Sequence, residues 1–287
     1  PMIILIGLSL AGSAVTNASQ NWLLAIVALA IIIIANIWGK GMIKIIPILL
    51  GVVGSYVFAL ILNALGVKNP DGSAILTFTE VSKASWVGLP PFQLCKFDLT
   101  AILVMAPIAI ASMMEHIGDM SAISATVGEN FIEDPGLHRT MLGDGLACIV
   151  AGLIGGPPVT TYSEVTGAIS LTKITDPAVI RIAAVSGIIF SVFGKVSALL
   201  KSIPAAVLGG IMLLLFGTIA AVGINSLIQN RTNLGDTRNL IIVSLILTFG
   251  IGGAAIEFGG FTMAGIGLSA LLGVFLNLVL PKSKTLP

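Results

Sequence analysis

A chain of 287 residues that is 56% hydrophobic and only 9% charged falls outside the water-soluble class, in which charged residues make up about 25%. The mean hydropathy of +1.08 marks a polytopic membrane protein with the lipid bilayer as its solvent. A formal net charge of +1 supplies no basic surface of the kind nucleic acid requires, so no nucleic-acid partner is expected.

A membrane-crossing helix needs about 20 apolar residues. Pro1 leads directly into Met2-Ile3-Ile4-Leu5-Ile6 with no charged region before it. That is not a signal peptide, and Pro1 is expected to be a fragment boundary. The apolar segments then predict spans near 2–17 (truncated), 22–38 and 42–64. A long polar loop follows at about 66–97 and carries the turn signal Asn69-Pro70-Asp71-Gly72. Spans near 99–128 and 137–155 flank a charged connection containing Glu133-Asp134-Pro135-Gly136. Further spans are expected near 178–194, 204–228, 239–253 and 261–280, with a second charged connection from Gln229 to Arg238.

Alternating the spans divides the 14 Lys and Arg residues between two faces. Lys40, Lys44, Arg139, Lys173, Arg181, Arg231, Arg238, Lys282 and Lys284 fall on one. Lys68, Lys83, Lys96, Lys195 and Lys201 fall on the other. The richer face is expected to be cytoplasmic, with the long loop outside and the C-terminus inside.

Residues 157–173 break the apolar pattern. Pro157-Pro158-Val159-Thr160-Thr161-Tyr162-Ser163-Glu164 is too polar to cross a bilayer and leads through Val165-Thr166-Gly167 to Thr172-Lys173. It reads as an extended half followed by a helical half at 164–173, tolerable only where it is buried in protein or lines a cavity. Glu164 at the start of a half-helix has two readings. It either caps the helix, sharing that task with Thr160, Thr161 or Ser163, or it meets a ligand, because an intramembrane carboxylate is costly to keep.

Met114-Glu115-His116-Ile117-Gly118-Asp119 places Glu115 and Asp119 one helical turn apart on the same face. Ser112, His116 and Thr126 lie on or near that stripe. Such a stripe faces a bundle interior or a water-filled cavity. The plainer alternative is a structural cluster that bonds a neighbouring helix. Asp144 in Gly143-Asp144-Gly145 reads as structural, Glu257 as a solvated connecting acid, and Phe216 as packing or the wall of a pocket. Gly7-Leu8-Ser9-Leu10-Ala11-Gly12 and Phe216-Gly217-Thr218-Ile219-Ala220-Ala221 give a faint hint of an internal repeat.

The motifs of enzymes and metal sites are missing. His116 merely follows Glu115, so no His-Glu-x-x-His is formed, and Gly187…Gly194-Lys195-Val196 has the wrong spacing for a phosphate-binding loop. Met141-Leu142-Gly143-Asp144 lacks the first glycine of the intramembrane aspartyl protease pattern. The two cysteines, Cys95 and Cys148, lie in different settings, and with His116 and His138 the only histidines neither a disulfide nor a metal site is expected. No cofactor is expected.

These residues together resemble the nucleobase–ascorbate transporter family, and within it the bacterial uracil permeases. The family signature runs from an acid or glutamine through Asn-x-Gly to a threonine and a basic or glycine residue. Here it reads Glu164-Val165-Thr166-Gly167-Ala168-Ile169-Ser170-Leu171-Thr172-Lys173, with Val165 in place of the asparagine. Glu115-His116-x-Gly118-Asp119, Asp134-Pro135-Gly136-Leu137-His138-Arg139, Thr160-Thr161-Tyr162 and Ile203-Pro204…Gly209-Gly210 are similar as well. The similarity extends over essentially the whole chain.

The resemblance implies an all-α polytopic fold built from inverted repeats, of which this chain corresponds to the fifth span onward. Gate-domain helices would occupy 1–64, an extracellular loop 65–98, core-domain helices with the substrate site 99–202, and gate-domain helices of the second repeat 203–287. One broken span would carry a short strand near 157–162. The implied activity is proton-coupled uptake of uracil across the cytoplasmic (inner) membrane by alternating access, without enzymatic chemistry. A xanthine or purine permease of the same family, or a non-transporting channel or scaffold, is the alternative. Substrate would be held by Glu115, Glu164, Ser163, Tyr162 and Phe216. Asp119, Glu115 and His116 would couple the proton, the coupling ion. A homodimer through the gate domain is also implied.

Overall fold

The computed structural model describes residues 1–90, 92–162, 165–166, 169, 173–229, 231–258 and 261–281. Their helices, in chain order, are α1 (Met2–Ser19), α2 (Trp22–Trp38), α3 (Met42–Ile45), α4 (Pro47–Ala64), α5 (Thr79–Lys83), α6 (Leu99–Val127) and α7 (Leu137–Leu153). There follow α8 (Pro177–Ser191), α9 (Gly194–Lys201), α10 (Ala205–Gln229) and α11 (Thr237–Ile251). A hairpin of β1 (Ala255–Phe258) and β2 (Phe261–Ala264) leads into α12 (Gly265–Val279). All of the expected spans contain a helix, so the chain is a mostly helical, multi-pass membrane protein.

Four of these helices, α1, α4, α6 and α10, are long and apolar enough to cross a bilayer unaided, and a fifth span arises if the bent pair α8–α9 counts as one. Helices α2, α11 and α12 are apolar but shorter, at 17, 15 and 15 residues.

The chain divides into two compact units. One comprises Pro1–Gly12, Lys96–Gly118 and Leu215–Pro287, and the other Ser13–Cys95 and Asp119–Leu214. In the first unit, α1 and α10 approach backbone to backbone. A Cβ added to Gly7 would stand 2.5 Å from the Phe216 carbonyl oxygen and 2.6 Å from the Ala220 nitrogen. Only a residue without a side chain fits there, which is how bilayer helices gain contact where no hydrophobic effect drives them together. The two stretches that hinted at a repeat are therefore neighbours in space. Helices α11 and α12 are tied at one end by Arg238, whose guanidinium donates to the Asn277 carbonyl and side-chain oxygens at 2.8 Å each.

In the second unit, α2 buries Leu24, Ala28, Ile32 and Ala35 on one stripe and leaves Ile26, Ile34 and Ile37 exposed, as expected where lipid is the solvent. The buried stripe of α4 is small, Gly51, Ser55 and Ala59, so the two helices pack closely. Loop residues Ile75 and Leu76 and α10 residues Ala206, Val207 and Ile211 complete that core. Asn21 begins α2 by accepting from the Leu24 amide at 3.3 Å, and its own amide donates to Asn69 Oδ1 at 3.0 Å.

Four expectations are corrected in detail. The span at 42–64 is two helices, because Ile46 precedes Pro47 and adopts φ −119°, ψ 43°, outside the helical region. The span at 261–280 begins only at Gly265, since Phe261–Ala264 pairs as a strand with Ala255–Phe258. The bend of 91° lies between α8 and α9, where the sequence suggested one continuous span to residue 194. Residues 157–162 form no strand. A strand exists only through a partner edge, and here the Val159 carbonyl instead accepts from Cys148 Sγ at 2.7 Å.

Candidate substrate and proton site

Helix α6 carries Glu115, His116 and Asp119. Most of this helix is exposed. Among its described side chains the buried ones are His116, 5% exposed, and Asp119, 7% exposed, whereas the apolar Met113 one turn away is 47% exposed. Glu115 is half-buried. A helix that shows its apolar side chains outward and withdraws an acid and an imidazole is inverted relative to a soluble helix. That arrangement fits a polar interior within a membrane protein. Glu115, His116 and Asp119 each engage a partner within the structure.

The lower part of α6 supports this stripe through local bonds. Ser124 Oγ donates to the Met120 carbonyl at 2.6 Å and accepts from the Phe131 amide at 3.0 Å, which closes the helix end against the following turn. Beyond it the chain passes a wide turn at Ile132–Gly136 with a cis Asp134–Pro135 bond, and Gly136 at φ +90° opens α7. Asp144 lies half-buried on α7.

Residues 157–162 leave α7 without regular structure, and helical conformation resumes at Val165 and Thr166. The Tyr162 carbonyl accepts from both the Val165 and Thr166 amides, at 3.1 and 3.3 Å. Tyr162 thus stands at the head of the helical half, as the sequence suggested, with its side chain 64% exposed. Thr166 is buried, at 7% exposed. The expected ligands Ser163 and Glu164 lie outside the described residues.

Thr160 adds a feature the sequence reading underused. Its Oγ1 is buried and has no hydrogen-bond partner among the described residues. A buried hydroxyl in that condition is uncommon and calls for a ligand or a local explanation. In the sequence the pair Thr160-Thr161 after two prolines reads as a capping feature and as part of the family resemblance, and neither marks Thr160 as a buried hydroxyl in want of a partner. Phe216 lies half-buried on α10, with its backbone against Gly7. Glu257 is exposed on β1, opposite Thr262, in keeping with a solvated acid.

The structure thus brings Glu115, His116 and Asp119 onto one helix and places Tyr162 next to Thr166. Glu115, His116 and Phe216 belong to the first compact unit, and Asp119, Thr160, Tyr162 and Thr166 to the second.

Comparison with known proteins identifies the family. A family model described as "Permease family", covering xanthine and uracil permeases, matches residues 1–258. A "Probable uracil permease" of Haemophilus influenzae is 43% identical over 293 residues, covering 99% of this chain and 68% of the relative. The "Uracil permease" of Bacillus subtilis is 42% identical over 305 residues, again 99% and 68%. That of Escherichia coli K12 is 33% identical over 289 residues, 97% and 65%. Permeases move solutes across membranes and are not enzymes. The chain therefore belongs to the xanthine/uracil permease family, the nucleobase–ascorbate transporters that its motifs resemble.

Proposed function

We propose that this permease takes up uracil together with protons across the cytoplasmic membrane by alternating access. The observation that carries the reading is the buried His116–Asp119 pair on a helix whose other described side chains are not buried. The names of the relatives support uracil as the substrate.

Uracil is a flat neutral ring with two N–H donors and two carbonyl acceptors. Glu115 and Glu164 accept the ring N–H groups, and the Ser163 backbone N–H donates to a carbonyl at the start of the half-helix. Tyr162 and Phe216 flank the ring. Thr160, with its unpaired buried hydroxyl, adds a polar group at the same segment. A neutral substrate needs no counter-charge, so the acids remain free to exchange protons. Asp119, Glu115 and His116 link proton occupancy to substrate binding.

In this reading, residues 99–202 act as the core and residues 1–64 and 203–287 as the gate. The loop at 65–98 faces outward, the C-terminus is cytoplasmic, and two copies associate through the gate. Uptake of labelled uracil and xanthine by cells producing the permease, at several external pH values, tests the proposal. Saturable uracil uptake that rises with an inward proton gradient is expected. Xanthine uptake without uracil uptake would support the purine reading, and flux that neither saturates nor follows the gradient would mark a channel.

A further inference from the structure

A groove of about 520 Å³ opens on the second unit between α2, α3 and the first half of α4. It lies within the roughly 300–1,000 Å³ typical of small-molecule sites. Its lining includes Ile31, Ile34, Trp38, Ile43, Leu50 and Gly54, and no lining residue carries a charge. Gly54 lies seven positions into α4, so the groove reaches roughly 10 Å along that helix.

A short basic segment adjoins the groove where α2 gives way to α3. Lys40 directly follows the lining residue Gly39, and Lys44 directly follows Ile43. Both lysines are exposed, and no acidic residue occurs in the chain before Asp71. Gly41, at φ +57°, makes the tight turn that holds the two lysines within one short stretch. Trp38, 68% exposed at the end of α2, is of the residue type that settles at headgroup level.

We propose that this groove is a binding site for one anionic phospholipid. An acyl chain fills the apolar trough, and the phosphate sits at Lys40 and Lys44. Apolar walls alone would take any lipid, and the two exposed lysines supply the preference for a negative headgroup. A second copy of the chain fits less well. An isologous seam here would bring the same two lysines of each copy to one line, like charge against like charge.

The test uses the purified permease in detergent, with native mass spectrometry reading the lipid that stays bound. Phosphatidylglycerol is compared with phosphatidylcholine of the same chains, and with inorganic phosphate alone. Preferential retention of phosphatidylglycerol is expected, falling about fivefold for each lysine removed in Lys40→Gln and Lys44→Gln, the scale of one juxtamembrane charge near anionic lipid. Val53→Trp, which fills the trough from an exposed position, should displace both lipids. Equal retention of the two lipids, retention unchanged by the double lysine variant, or equal occupancy by inorganic phosphate overturns the site. A lipid-independent dimer that Val53→Trp breaks assigns the groove to a second copy instead. If Val53→Trp does not fold, the exposed lysine variants decide alone.

Discussion

The Lys195 ammonium group donates to the Val81 carbonyl oxygen at 2.6 Å and to the neighbouring Ser82 carbonyl at 3.1 Å. It thereby caps the last turn of α5 from a different part of the chain. The same group stands 5.9 Å from the centre of the Trp86 ring, and the Gly88 amide donates to the Val192 carbonyl at 2.9 Å. The loop at 79–88 is fastened to the bend between α8 and α9. Lys195→Met keeps the stem and removes the charge. It should loosen the loop by roughly 1.5–3 kcal/mol, the range for hydrogen bonds to a charged group. Faster amide exchange or proteolysis across 79–88, with little change elsewhere, is the readout.

Gly7 and Phe216 give a second prediction. Gly7→Ala drives a methyl group into the Phe216 carbonyl and the Ala220 amide, which are backbone atoms that cannot turn aside. The cost should be about 1–3 kcal/mol, seen as a lower melting temperature in detergent. Gly12→Ala, where the added carbon meets nothing within 4 Å, is the control and should leave the melting point unchanged.

Asp119 is the test of proton coupling. Asp119→Asn removes a buried carboxyl group with little change of shape. Uracil uptake should lose its dependence on the proton gradient by a factor of roughly 5–150, the usual range of coupling between sites, while equilibrium binding persists. Glu115→Ala and Glu164→Gln should abolish binding itself. Binding retained by both would remove them from the substrate site.

Asp71 makes a pH prediction outside the membrane. The Ser73 hydroxyl and then the Ser73 amide hold its carboxyl below the ordinary value of 3.8. The group is fully exposed, so the effect is local to the turn. Because its pKa in the folded loop is depressed, the carboxylate favours the turn at all pH values above about 3.8 and loses that influence as pH falls below it. Ser73→Ala should return the Asp71 titration toward 3.8, followed by NMR of the labelled side chain.

Asn21 both begins α2 and reaches Asn69 in the loop after α4. Asn21→Ala should cost about 1 kcal/mol for the cap and free the Asn69 turn. Asn21→Ser, which can still cap, should recover the first effect and not the second. Melting curves and loop exchange rates separate the two.

Helix positions were legible because apolar runs of bilayer length leave little choice of conformation. The end of α2 at Trp38 was legible from Gly39, whereas the break before Pro47 was missed, although the proline that causes it stands in the sequence. The bend after Ser191 was not legible. Val192 and Phe193 are as apolar as their neighbours, and the bend depends on long-range contacts such as Ser85 against Gly194. The hairpin at 255–264 was hidden for a related reason. Phe261–Ala264 reads as the start of an apolar span, and only pairing across the turn reveals it as a strand. At the site, the Glu115–Asp119 spacing gave a common face, but the withdrawal of His116 and Asp119 from an otherwise exposed helix is a property of packing.

The right-angle break after α8 also bears on the bilayer itself. Fifteen residues of α8 rise roughly 22 Å, against about 30 Å of hydrocarbon. Helix α9, with Lys195 and Lys201 at its two ends, leaves at 91° and adds almost nothing to that rise. A span this short is met by local thinning of the bilayer, by flanking lysines reaching up to the headgroups or by a neighbouring helix. Lipids of longer acyl chain should therefore lower the melting temperature of the permease if thinning is the answer, and leave it unchanged if the lysines are.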